Sequence, residues 1–149
     1  MLLIGYWQLR KLGRLAVGIG IEMVLRLLLA TGLGAAIGYQ REKACKPAGL
    51  RTHMLICVGA ALFTIASISG FGIGADPSRI AAGIIAGIGF IGAGAILHRE
   101  RGIVEGLTTA ATIWIVAAIG LAAGAGLYLL AGVATAIALV ILFLPHPIQ

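Results

Sequence analysis

The sequence predicts an all-α polytopic membrane protein, a bundle of about five transmembrane helices. Three observations carry that expectation. Of 149 residues, 60% are hydrophobic and 11% charged, and mean hydropathy is +1.09. Soluble domains run near half apolar and about a quarter charged. From Leu107 to Leu144 no charged residue occurs. Glycines stand four apart at Gly34/Gly38, Gly83/Gly87 and Gly120/Gly124, the spacing that lets helices approach closely where lipid supplies no hydrophobic drive. The length fits one domain, read as a single transmembrane domain over 1–149.

Residues 1–14, apolar with Tyr6 and Trp7 and ending in Arg10, Lys11 and Arg14, are too short to span and read as an interfacial segment. The charges follow the apolar start and the next run contains Glu22 and Arg26, so the segment reads as retained rather than as a signal peptide. The first span is expected over 19–38. A polar loop follows in which Pro47 stops helix continuation. The second span is expected over 53–69, then the Gly-rich turn 70–74. Asp76-Pro77 is a helix start with a mechanism: Asp76 can accept from free backbone N–H groups, and Pro77 has no N–H to leave unpaired. The third span is expected over 77–97. A single helix over 107–144 would be about 57 Å long, against a hydrocarbon core about 30 Å thick. The run must therefore fold back, at Gly124-Ala125-Gly126, into spans over 107–123 and 127–144.

The net charge of +6 and pI of about 10.0 do not point to nucleic acid, because the Lys/Arg residues sit at the edges of apolar runs without a basic helix face. They fit topology and contact with the lipid bilayer. Loops 39–52 and 98–106 carry Arg41, Lys43, Lys46, Arg51, Arg99 and Arg101, against Arg10, Lys11, Arg14 and Arg79 opposite, with Arg26 just inside. The positive-inside rule then places the N-terminus outside and the C-terminus in the cytoplasm. Cys45 and Cys57 match neither a disulfide framework nor a metal site.

Gly87-Ile88-Gly89-Phe90-Ile91-Gly92 matches G-x-G-x-x-G, but a dinucleotide fingerprint needs a strand before it and a helix starting at it. Here it lies inside an apolar run. Helix packing through Gly83, Gly87, Gly89, Gly92 and Gly94 is the stronger reading, with span three as the central packing element, against other spans or its own copy. Glu22 and Arg26, four apart, share a helix face. Either they pair near the surface with Arg26 snorkelling, or they face the interior as part of a site. His53, His98 and His146 lie at span ends without metal-ligand spacing and read as interface histidines. No nucleophile–base arrangement is apparent, so no catalytic residue, cofactor or metal ligand is expected.

Three blocks, Ala48-Gly49-Leu50-Arg51-Thr52-His53-Met54-Leu55, Asp76-Pro77-Ser78-Arg79-Ile80-Ala81-Ala82 leading into Gly87–Gly94, and Gly106-Leu107-Thr108-Thr109-Ala110-Ala111-Thr112-Ile113-Trp114, closely resemble in order and spacing the membrane domain of the MgtC/SapB family. The resemblance covers residues 20–144. It implies a bacterial inner-membrane protein associated with adaptation to low magnesium and, in some pathogens, with survival inside host cells. Such proteins act as modulators of other membrane proteins, the ATP synthase among them, with self-association into a homo-oligomer also open. This sequence departs from the family at Gln40 (often Glu), Gly83 (Gln), Ala86 (Ser) and Thr108 (Asn in virulence-associated members), and it ends at Gln149 where many relatives continue into an ACT-like domain. The leading expectation is a non-enzymatic membrane regulator. The alternative is a small oligomeric ion or solute transporter, magnesium- or proton-coupled, with Arg41, Glu42 and Arg51 at one rim and Glu22, Arg26, Asp76 and Arg79 at the other. Thr52, Thr108 and Thr109 complete the polar positions singled out.

Overall fold

A computed structural model describes the backbone of residues 2–70, 76–98 and 104–144 and the side chains of residues 20–70, 76–96 and 104–144. The side chains of the 1–14 segment, most of the 70–74 turn, Arg99 to Arg101 and His146 lie outside them. Five helices form in chain order: α1 (Leu2–Lys43), α2 (Leu50–Ser69), α3 (Pro77–Gly94), α4 (Leu107–Gly124) and α5 (Tyr128–Phe143). Between α3 and α4 the chain pairs β1 (Leu97–His98) with β2 (Val104–Glu105), antiparallel, with Leu97 opposite Glu105. In the 98–106 stretch, expected as a loop, His98 thus pairs with Val104.

Four segments are long and apolar enough to cross a bilayer: Gly20–Lys43, Leu50–Ser69, Pro77–Gly94 and Leu107–Gly124. The fifth helix, Tyr128–Phe143, has 16 residues, which rise about 24 Å. That is somewhat less than the hydrocarbon thickness. The helix of the first span does not begin near residue 19, for α1 is continuous from Leu2.

The helix starts follow the local chemistry. Asp76 lies in the extended region and its carboxylate accepts from Ser78 N–H at 2.9 Å, with Pro77 in the first turn. Gly106 sets up α4 at φ 92°, a left-handed conformation that L side chains rarely adopt. A Cβ at Gly106 would also collide with the Ala95 carbonyl oxygen. Glycine is required there twice over. Gly126, φ 82°, closes the α4–α5 turn, the fold-back expected at Gly124-Ala125-Gly126.

The interior is built around α2 and α4. Of α4, ten residues are buried, spread round the helix, whereas α5 buries only Ala131, Thr135 and Ala138 and turns Leu129 and Val140 outward. Close approach rests on glycine. A Cβ on Gly34 of α1 would lie 2.7 Å from Cys57 Cβ, and one on Gly38 would lie 2.8 Å from Leu50 Cα. Against the same helix, a Cβ on Gly120 of α4 would run into the Cys57 carbonyl oxygen, and one on Gly124 would lie 2.5 Å from that of Ala61. Two of the three expected glycine pairs are therefore helix–helix contacts inside the chain.

The third pair is not. Gly83, Gly87, Gly89 and Gly94 of α3 have nothing within 4 Å of an added Cβ, and only Gly92 touches a neighbour, Ala110 of α4. Only Ile88 and Gly92 of α3 are buried. Within this chain α3 is a peripheral helix, so of the two expected packings, against other spans or against its own copy, the first is corrected: the helix carries bulky residues outward, Phe90 at 84% exposed, and packs on α4 through Ile88 and Gly92.

Gly120→Ala is expected to destabilise the protein by about 1–3 kcal/mol, because the new methyl has no space and overpacking outweighs the gain in helix propensity. Gly132→Ala, with open space around it, is expected to leave stability unchanged or raise it by up to about 1 kcal/mol. Thermal unfolding of both variants in detergent checks the pair.

Candidate functional site

Consecutive helices alternate in direction, so the polar residues collect at two ends of the bundle. The first end joins α1 to the α4–α5 turn. Arg26 is held by three partners: its Nη2 donates to Glu22 Oε1 at 2.5 Å, its Nη1 to the Gly124 carbonyl at 2.8 Å, and its Nε to the Tyr128 hydroxyl at 3.2 Å. Tyr128 in turn donates to Glu22 Oε1 at 3.0 Å. A cation on the last carbonyl of α4 satisfies an acceptor that the helix leaves open and complements its dipole. The Glu22 side chain is 52% exposed and that of Arg26 20%. The pair is partly exposed and pins α1 to the turn. Asp76 and Arg79 are both exposed. The Ser67 hydroxyl donates to the Pro77 carbonyl at 3.3 Å, tying the end of α2 to the start of α3.

The second end is where α1 finishes and α2 and α4 begin. Arg41, expected at the rim, is only 3% exposed. Its Nη2 donates to Thr109 Oγ1 at 3.0 Å, while its Nε has no hydrogen-bond partner among the described residues. Arg41 and Thr109 stand 68 residues apart in the sequence, and the fold brings them together. Thr109 is itself buried, and its carbonyl accepts from the Thr112 hydroxyl at 2.8 Å. Glu42 points the other way and accepts from Leu50 N–H at 2.8 Å, capping α2. Gln40 donates to the Leu142 carbonyl of α5 at 3.1 Å. Arg51 is exposed and Thr52 half-buried, and Thr108 is exposed beside this cluster.

The burial of His53 is what sequence reasoning missed. Expected at the interface, this histidine is fully buried, with Nδ1 2.8 Å from the Gly49 carbonyl and Nε2 without a partner among the described residues. The signal was available in the Gly34/Gly38 pair, because Gly38 is where α1 meets the first turn of α2 and a Cβ there would lie 3.1 Å from His53 Cβ.

A cavity of about 640 Å³ opens at this end, lined by Arg41, Lys46, Glu105, Gly106, Thr108 and Thr109 among others. Between α2 and α3 runs a larger groove of about 740 Å³, apolar apart from Arg79, lined by Leu55, Gly59, Phe63, Gly83, Gly87 and Ile91 among others. Among the described residues, no three His, Cys, Asp or Glu side chains come close enough to share a metal ion.

Helices of this length and apolarity, with charge confined to the two ends, define a multi-pass helical membrane protein. The chain belongs to the MgtC family, whose profile it matches over residues 27–149. It is 54% identical over 114 residues to YhiD of Escherichia coli (strain K12), whose name proposes a magnesium transporter; the match covers 72% of this chain and 53% of that protein. It is 46% identical over 118 residues to the protein MgtC of Brucella abortus (strain 2308), covering 78% and 48%. With SapB of Bacillus subtilis (strain 168) it shares 45% identity over 114 residues, covering 72% and 49%. The chain thus spans about half the length of these relatives. No solved structure matches it.

The Asp76 carboxyl is held below the usual carboxylate range by its hydrogen bond from Ser78. A group with a depressed folded pKa contributes stability that is present above its unfolded pKa and lost as pH falls through the folded value. The cap of α3 is therefore expected to weaken as pH drops below about 4. In Asp76→Asn, which can still accept from Ser78 but does not titrate, that part of the acid loss should vanish. Melting curves across pH 3–7 for both proteins check it.

Proposed function

We propose that this chain is a non-enzymatic regulator in the bacterial inner membrane that acts by helix–helix contact with another membrane protein or with a second copy of itself, in adaptation to low magnesium or related stress. The observation that carries this reading is the open glycine face of α3. Glycine costs about 1 kcal/mol relative to alanine inside a helix, and Gly83, Gly87, Gly89 and Gly94 meet nothing in their own chain. In lipid such a surface has its use in close packing with another helix, and the adjoining α2–α3 groove enlarges it. The ATP synthase is the partner that family resemblance favours, although the whole family protein is about twice as long as this chain.

The alternative is a magnesium transporter, in line with the name of the Escherichia coli relative. Against a divalent-cation path through one chain stands the charge inside the bundle. The one fully charged group buried among the described residues is a cation, Arg41, whereas Glu22, Glu42 and Asp76 are all exposed. A buried positive charge repels Mg²⁺ along any route that passes it.

Gly87→Leu separates the readings. The folded monomer should keep its stability to within about 0.5 kcal/mol, since the site is open, while the oligomer or the co-purifying membrane partner, and growth in low magnesium, are lost. Normal assembly and growth would remove the proposal. Magnesium flux into liposomes containing the purified protein, abolished by charge substitutions, would establish the transporter instead.

The Lys/Arg bias supports a cytoplasmic loop after α1. Cys45 there is exposed and Cys57 is buried, so the natural thiols report topology. A membrane-impermeant maleimide should label Cys45 in inside-out vesicles and not in intact cells. The reverse pattern would invert the orientation.

A further inference from the structure

One end of the open α3 face carries both signs of charge. Asp76 and Arg79 are exposed, and no ion pair joins either of them to a described residue. The Asp76 carboxylate accepts from Ser78 N–H through Oδ1. From Arg79 the face continues through Gly83 and Gly87 in steps of four residues, with Gly94 seven further on, and such steps nearly preserve facing on a helix. None of these glycines has a neighbour within 4 Å of an added Cβ, whereas Gly92, five residues after Gly87 and so turned away from this face, meets Ala110 of α4. Alongside runs the groove of about 740 Å³ between α2 and α3, lined by Arg79, Gly83 and Gly87 on one side and Gly59 and Phe63 on the other.

The bilayer restricts what can cover this face. Copies of one chain carry the same Lys/Arg distribution and so insert in one direction. A closed pair of them has its twofold axis along the membrane normal, and the same helix from each copy runs parallel to its counterpart about that axis. In such an interface residue i meets residue j of the other copy, and j meets i. Two α3 helices facing each other in this way bring their starts together, with Asp76 of each copy across from Arg79 of the other. One surface then satisfies both of its own charges. An anionic lipid headgroup drawn to Arg79 would meet the Asp76 carboxylate three residues away, and a bare acyl chain answers neither charge.

We propose that the α3 face pairs with the α3 face of a second copy, the helices parallel, with Gly83 and Gly87 at the closest approach and two reciprocal Asp76–Arg79 ion pairs at the helix starts. The flank of each α3 lies along the α2–α3 groove of the other copy. Self-pairing rests on the regulator reading above and names its contact as a second copy of this chain. Exposed ion pairs add little affinity, so they fix direction and register while close glycine contact supplies the attraction.

The test uses the full chain in liposomes, with Cys45→Ser removing the exposed thiol. In that background Ile80→Cys places a thiol in the groove lining beside Arg79, and Ala82→Cys, two residues on and across the helix, is the control. Mild oxidation should give a disulfide-linked dimer at Ile80→Cys in clear excess over Ala82→Cys. Adding Arg79→Glu to Ile80→Cys should weaken pairing about tenfold, since two attractive pairs become repulsive, and Arg79→Lys should leave it unchanged. Mixing the Arg79→Glu chain with an Asp76→Lys chain should restore the cross-link, because opposite charges again face each other at both positions. If Asp76→Lys does not fold without its cap, Arg79→Glu against Arg79→Lys carries the comparison. Equal cross-linking at Ile80→Cys and Ala82→Cys, or a yield indifferent to Arg79→Glu, overturns self-pairing. No dimer at Ile80→Cys while Gly87→Leu still abolishes growth in low magnesium overturns self-pairing and leaves the regulator reading with another protein on this face. No dimer and normal growth of Gly87→Leu leave lipid there and overturn both. A cross-link that Gly87→Leu abolishes without affecting growth upholds self-pairing and removes the regulator reading.

Discussion

The bundle depends on the close contact that α2 makes with both α1 and α4. Cys57 lies between Gly34 of α1 and Gly120 of α4, with its Cβ against one and its carbonyl against the other. In lipid, burying a leucine gains little, because the hydrocarbon around it is as apolar as the interior. What remains is contact at short range, and backbones approach to that range only where no Cβ intervenes. The core is accordingly small in residue type: Ala30, Ala60, Ala61, Ala117, Ala122, Ala123 and Ala131 are all buried. Larger residues such as Phe63, Phe90 and Leu129 face outward.

From that contact the positions of the polar groups follow. With α1 held against α2 at Gly38, the end of α1 lies over the starts of α2 and α4, so Glu42 reaches Leu50 N–H while Arg41 turns inward to Thr109. Neighbouring residues on one helix point in different directions, and the two adjacent charges part. At the opposite end the same α1 brings Arg26 to the last carbonyl of α4 and to Tyr128 of α5. One long helix thus fastens both ends of α4, by a hydroxyl at its start and a carbonyl at its finish. The helix left out of this arrangement is α3, joined mainly through Ile88 and Gly92 to the face that α4 has remaining.

Much of the fold was legible because it rests on local chemistry. The Asp76-Pro77 start, the fold-back at Gly126 and the polar break around Pro47 are each decided by a residue and its neighbours. The small-residue spacing also announced close packing, and at Gly34/Gly38 and Gly120/Gly124 that packing is internal. The same signal at Gly83/Gly87 left packing on other spans or on a second copy open, and within this chain that face meets no neighbour, because spacing shows that a helix can pack closely without saying on what. The candidate site was less legible. Arg41, Thr109 and His53 were visible as polar residues near span ends, but 68 residues separate the first two.

By itself the sequence determined that the chain belongs in a membrane, how it divides into helices, and where each helix turns back. Hydrophobic run length against bilayer thickness and the backbone preferences of proline and glycine decide those things without reference to distant residues. Only the tertiary structure decided which glycine faces are consumed within the chain and which charge is buried. Both depend on the rotation of each helix about its own axis. That rotation is set by the neighbours it meets, and residues far apart in the chain supply those neighbours.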